Sequence, residues 1–479
     1  MAKKQEFVKE ITSREENFSQ WYTDVILKTQ MVDYGPVKGT MVIRPYGYRI
    51  WELIQQQLDA RFKECGVQNA YFPLLIPESL LKKEAEHVEG FAPEVAWVTK
   101  GGHEELAEPL VVRPTSETIF CDMFSKWVQS YRDLPMKLNQ WCNVMRWEKS
   151  TRPFLRTSEF LWQEGHTIHS TQEEALEMTM QMIGVYGKFA EEVLAMPVII
   201  GQKSDKERFA GAVATYSMEA MMQDGQALQA GTSHNLGQHF AKVFDIKFLG
   251  KDGVQEYVHQ TSWGVSTRLI GGLIMTHSDD RGLVLPPRVA PIQAVVLPIA
   301  MHKEGVIEGA EKIVESLKAA GIRTEFDTRD QSAGWKFNEW EMKGVPVRIE
   351  VGPRDLEAGQ VTIMRRDTLE KSVLPIEGLA EAIVDLLDDV QEGLLCKARG
   401  YRDERIFEAN DLDELREAVE DKHGFASTMW CGSRECEDLI KEKTGATSRV
   451  MPFEQKCHGD KCVCCGKPAT VNMLFARSY

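Results

Sequence analysis

Apolar side chains recur at helical spacing from Pro45 onward. Ile50, Ile54, Leu58 and Phe62 fall on one face, and Gly66 is placed to stop the helix. An aromatic-rich stretch, Phe18-Ser-Gln-Trp-Tyr22, and a turn-prone Asp33-Tyr-Gly-Pro36 precede it. Residues 70–76 read as extended, and Pro73 points to a sheet edge or a subunit boundary. Residues 141–148 read as a strand and residues 159–167 as its return, joined by a loop rich in Lys, Thr and Pro. Alternate strand residues share a face, so Arg146 and Glu148 are expected to point together into whatever this hairpin lines.

Beyond Pro291 the rhythm changes. Residues 292–297 read as a buried strand, and a helix follows with Val306, Ile307, Ala310, Ile313, Val314 and Leu317 on one face. Residues 322–326, 345–351 and 361–364 read as strands, residues 332–343 as a helix, and a last helix follows Glu377. Such alternation predicts a small α/β domain with a mixed sheet. Pro286, Pro287 and Pro291 mark the linker into it, and from about Cys396 the chain becomes charged and cysteine-rich. The expected organisation is therefore 1–287, 288–395 and 396–479, consistent with 479 residues at roughly 150 per domain.

The composition, 43% hydrophobic and 27% charged, is that of a soluble globular protein. The start, Met1-Ala-Lys-Lys-Gln-Glu, has no signal-peptide character, and no apolar run approaches a membrane span, so a cytoplasmic location is expected. A net charge of −15 does not advertise a nucleic-acid binder, yet phosphate contacts depend on local basic patches. Arg348, Arg365, Arg366, Lys371, Lys336 and Lys343 in the α/β domain could form one, or a solvated, salt-bridged surface. Ten cysteines in a reducing compartment are thiols or metal ligands, and six crowd the last fifty residues or so.

The chemistry-bearing residues contain no glycine-rich phosphate loop. Instead Arg146-Trp147-Glu148 is followed by Arg156-Thr157, by Phe160-Leu-Trp-Gln-Glu164 and, far downstream, by Arg268 at the start of an apolar helix. Guanidinium forks can take phosphates, and an aromatic–Arg sandwich can take a base. In Arg113-Pro-Thr-Ser-Glu117 a hydroxyl either caps the next helix or joins Glu117 in presenting a site for a small cationic amine. Gln229-Ala-Gly-Thr-Ser-His234 reads as a short loop in which Gly231 allows close approach to a ligand; His234 alone would also suit a core position. Cys431, Cys436, Cys462 and Cys465 suit a tetrahedral four-thiolate zinc site, with Cys464 an alternative to Cys465 and Cys457 and His458 in reserve.

Together these segments resemble class II aminoacyl-tRNA synthetases, and within them the prolyl-tRNA synthetases of archaeal and eukaryotic-cytoplasmic type. The helix from Pro45 with Pro73 is similar to motif 1, residues 146–164 to motif 2, and the Arg268 segment to motif 3. Arg113–Glu117, Gly231–His234 and Phe475-Ala-Arg-Ser-Tyr479 are similar to elements particular to the prolyl enzymes, and the class I signatures and a long insertion between motifs 2 and 3 are missing. The resemblance implies an α+β fold: an antiparallel catalytic sheet, an α/β anticodon-binding domain and a small zinc-binding C-terminal domain, assembled as a homodimer through motif 1. It implies ATP, L-proline and tRNA(Pro) as partners, Mg²⁺ with ATP, and structural Zn²⁺. By position, Arg146 would bridge the proline carboxylate and the ATP α-phosphate, and Arg156 and Thr157 would join the ATP contacts. Phe160 and Arg268 would sandwich adenine with Glu148 on its amino group, and Gln229, Thr232 and Ser266 would complete the ATP site. Thr115, Glu117 and His234 would form the proline pocket, and Glu164 is a weaker candidate route to Mg²⁺. A non-catalytic RNA-binding paralogue, or a synthetase for another amino acid, are the competing readings; the retained arginines, Glu117 and His234 weigh against the first, and the Thr-Ser-Glu element against the second.

Overall fold

Strand alternation builds the largest sheet. Along His259–Ser266, Trp263 and Val265 turn to a helical layer while Ser262 and Ser266 line a cavity on the other face. The structure is a computed structural model that describes residues 11–83 and 95–479; the opening Met1-Ala-Lys-Lys-Gln-Glu stretch lies outside them. The order of this eight-stranded sheet is Met451–Pro452, Val198–Gln202, Ala214–Met221, Ala227–Gly237, His259–Ser266, Glu159–His169, Met136–Met145 and Gln68–Asn69. Its pairs are antiparallel except the last. Helices Arg14–Lys28, Pro45–Glu64, Gln172–Glu192 and Arg268–His277 cover the apolar face. Phe62 meets Trp263 at 5.0 Å and Tyr186 at 6.1 Å between ring centroids, and burial of each such ring contributes about 1.5–3 kcal/mol. Gly66, at φ +76°, follows this helix where the pattern placed its stop.

The second sheet is mixed, in the order Thr324–Phe326, Ala294–Pro298, Val347–Val351, Gln360–Arg365 and Lys371–Pro375. Its last strand, mostly exposed, escaped the sequence pattern because it buries no apolar stripe. The helix after Glu377, Leu379–Asp403, runs unbroken through Cys396, where the composition changes. Beyond it a four-stranded sheet, Ile406–Ala409, Phe425–Trp430, Val471–Ala476 and Thr447–Ser448, forms the core of the cysteine-rich region. Residues 70–76 differ from expectation: only Leu75–Pro77 is a strand, in a separate small sheet with Glu104–Val112 and Ala96–Gly101.

The six basic residues of the α/β region are all engaged within the chain. Arg348 and Lys371 share Glu350, Arg365 holds Asp367 and Asp389, Lys336 reaches Asp327, and Lys343 reaches Glu339. Arg366 crosses to the large sheet's region, gripping Asp279 with two hydrogen bonds of 2.8 and 2.6 Å while its Nε donates to the Glu341 carbonyl. The pairings fit the salt-bridged alternative, but Lys336, Arg348 and Arg366 are buried rather than solvated.

Asp279 is held below its ordinary pKa of 3.8; burial opposes the shift and the Arg366 fork drives it. A lowered carboxylate stabilises above its unfolded pKa and loses that contribution as pH falls through its folded value. Arg366→Ala should therefore cost on the order of 3 kcal/mol in denaturant unfolding at pH 7, with the difference shrinking as pH falls below 3.8.

Candidate active site

The hairpin Met136–Met145 and Glu159–His169 stays in register to Met145↔Glu159, and the Arg146 N–H still reaches the Ser158 carbonyl at 2.8 Å. Pairing ends there because Ser158 turns to bond Gly39, so residues 146–148 are not strand as expected. The Glu148 N–H closes a tight turn onto the Arg146 carbonyl at 2.8 Å, and simple alternation does not relate the two side chains. Arg146 Nε donates to the Pro114 carbonyl at 3.0 Å, and the guanidinium stands 5.5 Å from the Phe160 ring and 5.7 Å from Trp162.

Arg146 and Arg268 line one cavity of about 260 Å³ with Thr115, Glu117, Phe160, Gln229, Thr232, His234 and Ser266. These expected site residues are thus brought together from four separate segments. Glu148, Arg156 and Thr157 do not line it: Arg156 pairs with Glu148 at 3.8 Å, and the Thr157 hydroxyl donates to the Glu159 carbonyl at 2.7 Å. Arg268 donates through Nε to the Leu155 carbonyl at 3.0 Å and through a terminal nitrogen to the Gln229 carbonyl at 3.4 Å. Burial, then the neighbouring charges of Arg146 and Arg156, push its pKa down to about 10. A buried guanidinium beside two others favours an anion.

At the other end lies an acidic, apolar-walled recess. The Thr115 hydroxyl donates to the Glu117 carboxylate, and Ser116 Oγ donates to Glu164 Oε1 at 2.5 Å. Ser116 occupies the N-cap of helix Glu117–Trp127 without a side-chain cap, so the capping alternative is corrected: buried carboxylates claim both hydroxyls. Glu164 also accepts from Gln140 at 2.7 Å, Cys142 at 3.4 Å and His166 at 2.9 Å, which leaves it poorly disposed toward a metal ion.

Residues 229–234 are strand rather than loop, because Ala227–Gly237 is paired on both sides; a bulge at Ala230 accommodates the mismatch with Ala214–Met221. A Cβ on Gly231 would stand 2.7 Å from Val265 and 2.8 Å from Met218, so the core beneath requires the glycine. His234 Nδ1 pairs with the Thr215 hydroxyl at 2.9 Å, and the ring stacks on Phe209 at 4.6 Å. Burial pulls its pKa down to about 4, against Glu117 and with His166, so the imidazole is neutral at pH 7. Trp162, His166, Phe209, Thr215 and Lys203 also line the cavity and were not singled out. Trp162 and His166 share the face of Phe160 and Glu164 and were legible by two-residue alternation; Phe209, Thr215 and Lys203 carry no such local signal.

A second cluster lies in the C-terminal sheet region. The sulfurs of Cys431, Cys436, Cys462 and Cys465 lie within 4.8 Å of one another, with neighbouring pairs at 3.6, 4.0 and 3.7 Å. Thiolates roughly 2.3 Å from a tetrahedral Zn²⁺ stand about 3.8 Å apart, so the cluster could hold a metal ion. Among the described residues Cys464, Cys457 and His458 are outside this set.

A family model described as tRNA synthetase class II core domain (G, H, P, S and T) matches residues 97–277. The model of the Anticodon binding domain matches residues 293–386, and that of Prolyl-tRNA synthetase, C-terminal, residues 412–479. A curated relative from Clostridioides difficile, proline–tRNA ligase 2, is 62% identical over 481 residues, with all of both chains covered. A proline–tRNA ligase from Alkaliphilus oremlandii is 62% identical, covering 100% of this chain and 99% of its own. The solved prolyl-tRNA synthetase of Cryptosporidium parvum complexed with L-proline and AMP superposes with a TM-score of 0.93 at 43% identity, covering 98% of this chain and 97% of its own.

The depressed His234 pKa sets a pH signature. Between about 4 and 6.5 the unfolded chain binds a proton that the folded imidazole refuses, so this residue's contribution to stability falls as pH drops through that window. Imidazole NMR shifts of His234 should stay those of the neutral ring down to about pH 5.

Proposed function

This chain belongs to the prolyl-tRNA synthetases, a family of class II aminoacyl-tRNA synthetases, and we propose that it acts as a proline–tRNA ligase through the cavity just described. One observation carries the reading: a single cavity joins the half-buried guanidiniums of Arg268, at one end, and Arg146, towards its middle, to a carboxylate and a neutral imidazole at the other end. Adjacent sites for a phosphate ester and a small amine are what amino-acid activation requires. Glu117 neutralises proline's secondary ammonium, with Thr115 and His234 shaping the pocket. Arg146, anchored on Pro114 beside Phe160, lies between the two ends and bridges the proline carboxylate and the ATP α-phosphate. Adenine lies between Phe160 and Arg268, with Gln229, Thr232 and Ser266 around the nucleotide. Glu148, Arg156 and Thr157 join it by closure of the Lys149–Arg156 loop over ATP.

The proline carboxylate attacks the α-phosphorus, pyrophosphate leaves, and the terminal 3′-hydroxyl of tRNA(Pro) then attacks the prolyl carbonyl to release AMP. Both steps need alignment and charge neutralisation, which arginines supply, and no protein nucleophile. Mg²⁺ enters with ATP as part of the substrate. Zn²⁺ held by Cys431, Cys436, Cys462 and Cys465 would supply folding energy to the C-terminal region. We read the chain as three domains, 1–287, 288–395 and 396–479. Exposed Tyr48 on helix Pro45–Glu64, with exposed Tyr34, Val42, Tyr71 and Leu75 in the segments either side of it, supports a homodimer there. No helix among the described residues is long and apolar enough to cross a membrane, in keeping with work in the cytoplasm.

A panel of amino acids in ATP–pyrophosphate exchange tests the reading: proline alone should support exchange, and exchange driven by threonine or glycine, or by none, would overturn it. Arg146→Ala should lower proline-dependent exchange by about 10²–10³, as loss of a preorganised charge contact does; a change within about threefold contradicts its bridging role. Metal analysis should find one zinc per chain, lost in the Cys431→Ser, Cys436→Ser double variant; equal zinc in that variant excludes the cysteine site.

A further inference from the structure

A charged cluster beneath the cavity is not used by the steps above. Lys203 follows strand Val198–Gln202, and its N–H bonds the Thr215 carbonyl at 2.8 Å. Its side chain, only 2% exposed, lines the cavity and donates from Nζ to Glu219 Oε1 at 3.1 Å. Glu219 also accepts from Ser217 at 2.5 Å, and its Oε2 accepts from Arg449 Nε at 3.0 Å and Nη2 at 2.8 Å. Arg449 comes from the cysteine-rich region, just before the strand Met451–Pro452 that joins the large sheet. One buried carboxylate thus faces two buried cations, with side-chain exposures of 0% for Glu219 and 7% for Arg449. The cluster itself does not balance: Glu207, the acid on this flank of the cavity, is exposed, and the buried acids elsewhere in the cavity are engaged by other groups, Glu117 by Thr115 and Glu164 by Ser116, Gln140 and His166. Among the described residues, two of the three ammonium donors of Lys203 have no partner. An uncompensated buried charge is costly, and a site that maintains one is built to receive an anion.

Sheet register locates that anion. Thr215 stands opposite His234 at the recess end, and Glu219 stands opposite Gln229 at the nucleotide end. Reaching from Thr215's row toward Glu219, the ammonium lies over the row of Ser217, Thr232, Gly264 and Glu164, between the two ends. Arg146 comes to the same junction from the far side of the cavity, beside Trp162. We propose that Lys203 contacts the phosphate of the acyl-adenylate at this junction, and that Arg449 is a positioning residue that shares Glu219 and so keeps the lysine available. Burial pushes the Lys203 pKa down, so a phosphate partner stabilises its charged form. Without Arg449 the Glu219 carboxylate would close onto Lys203 as a neutral pair.

This rests on the proline–tRNA ligase reading, and the unsubstituted enzyme separates the two: if it lacks proline-dependent exchange, that reading fails first. Given exchange, Lys203→Met leaves Glu219 and Arg449 as a balanced pair, so the fold is expected to hold. Exchange and tRNA charging should both fall by about tenfold or more, with Lys203→Arg retaining the larger part. Loss of charging alone would move the contact to the phosphodiester at the tRNA 3′ end and overturn the adenylate assignment. Both activities within about threefold of the unsubstituted enzyme would overturn the site altogether. Arg449→Met should reduce exchange with zinc content unchanged, yet have no further effect in the Lys203→Met background. Additive losses in that double variant would make Arg449 merely structural.

Discussion

Like charges are hard to hold together away from water, and this cavity holds several. Burial, then the charges of Arg146 and Arg156, push the Arg268 pKa down. Backbone carbonyls help fix each cavity arginine in place: Pro114 for Arg146, Leu155 and Gln229 for Arg268. Carbonyl dipoles fix a guanidinium's place without cancelling its charge, so attraction for phosphate survives. The same ties decide the chain's path. The segment before helix Glu117–Trp127, the loop after Arg146 and the strand Ala227–Gly237 must all present carbonyls to one space. The antiparallel sheet, with its apolar face anchored on four helices, is rigid enough to do so.

Acids in the cavity obey the complementary rule. Glu164 is surrounded by donors from Ser116, Gln140 and Cys142 and by His166, and Glu219 by Ser217, Lys203 and Arg449. Both are therefore structural anchors for their neighbours. Glu117 accepts from the Thr115 hydroxyl at the recess, and in the proposed function it would meet the ammonium of the amino acid.

Period and chemistry made much of this visible in the chain alone. Helix Pro45–Glu64 and its stop at Gly66 follow from spacing, as do the return strand Glu159–His169 and the helix beginning at Arg268. The cavity residues that stood in recognisable groups, Thr115 with Glu117, Arg146 with Phe160, Gln229 with His234, meet as expected. Other features depend on partners that no local window contains. Residues 229–234 look like a loop because small and polar residues dominate them, but neighbours on both sides make them a central strand. Arg366 resembles a surface charge until Asp279 is found beside it, and Arg449 lies more than two hundred positions from the carboxylate it holds. Cys465 rather than Cys464 completes the thiol cluster; Cys464 packs instead against the apolar core of the C-terminal region.

The two-residue strand Met451–Pro452 has a consequence for how the protein behaves as a colloid. Val198–Gln202 would otherwise present open N–H and C=O groups along one side, a template on which another chain's strand can grow. The late segment lies over that side, and Pro452, opposite Gly201, offers no N–H with which the ladder could continue. Where that cover is lifted, the template stands open, and the characteristic failure is self-association through strand addition.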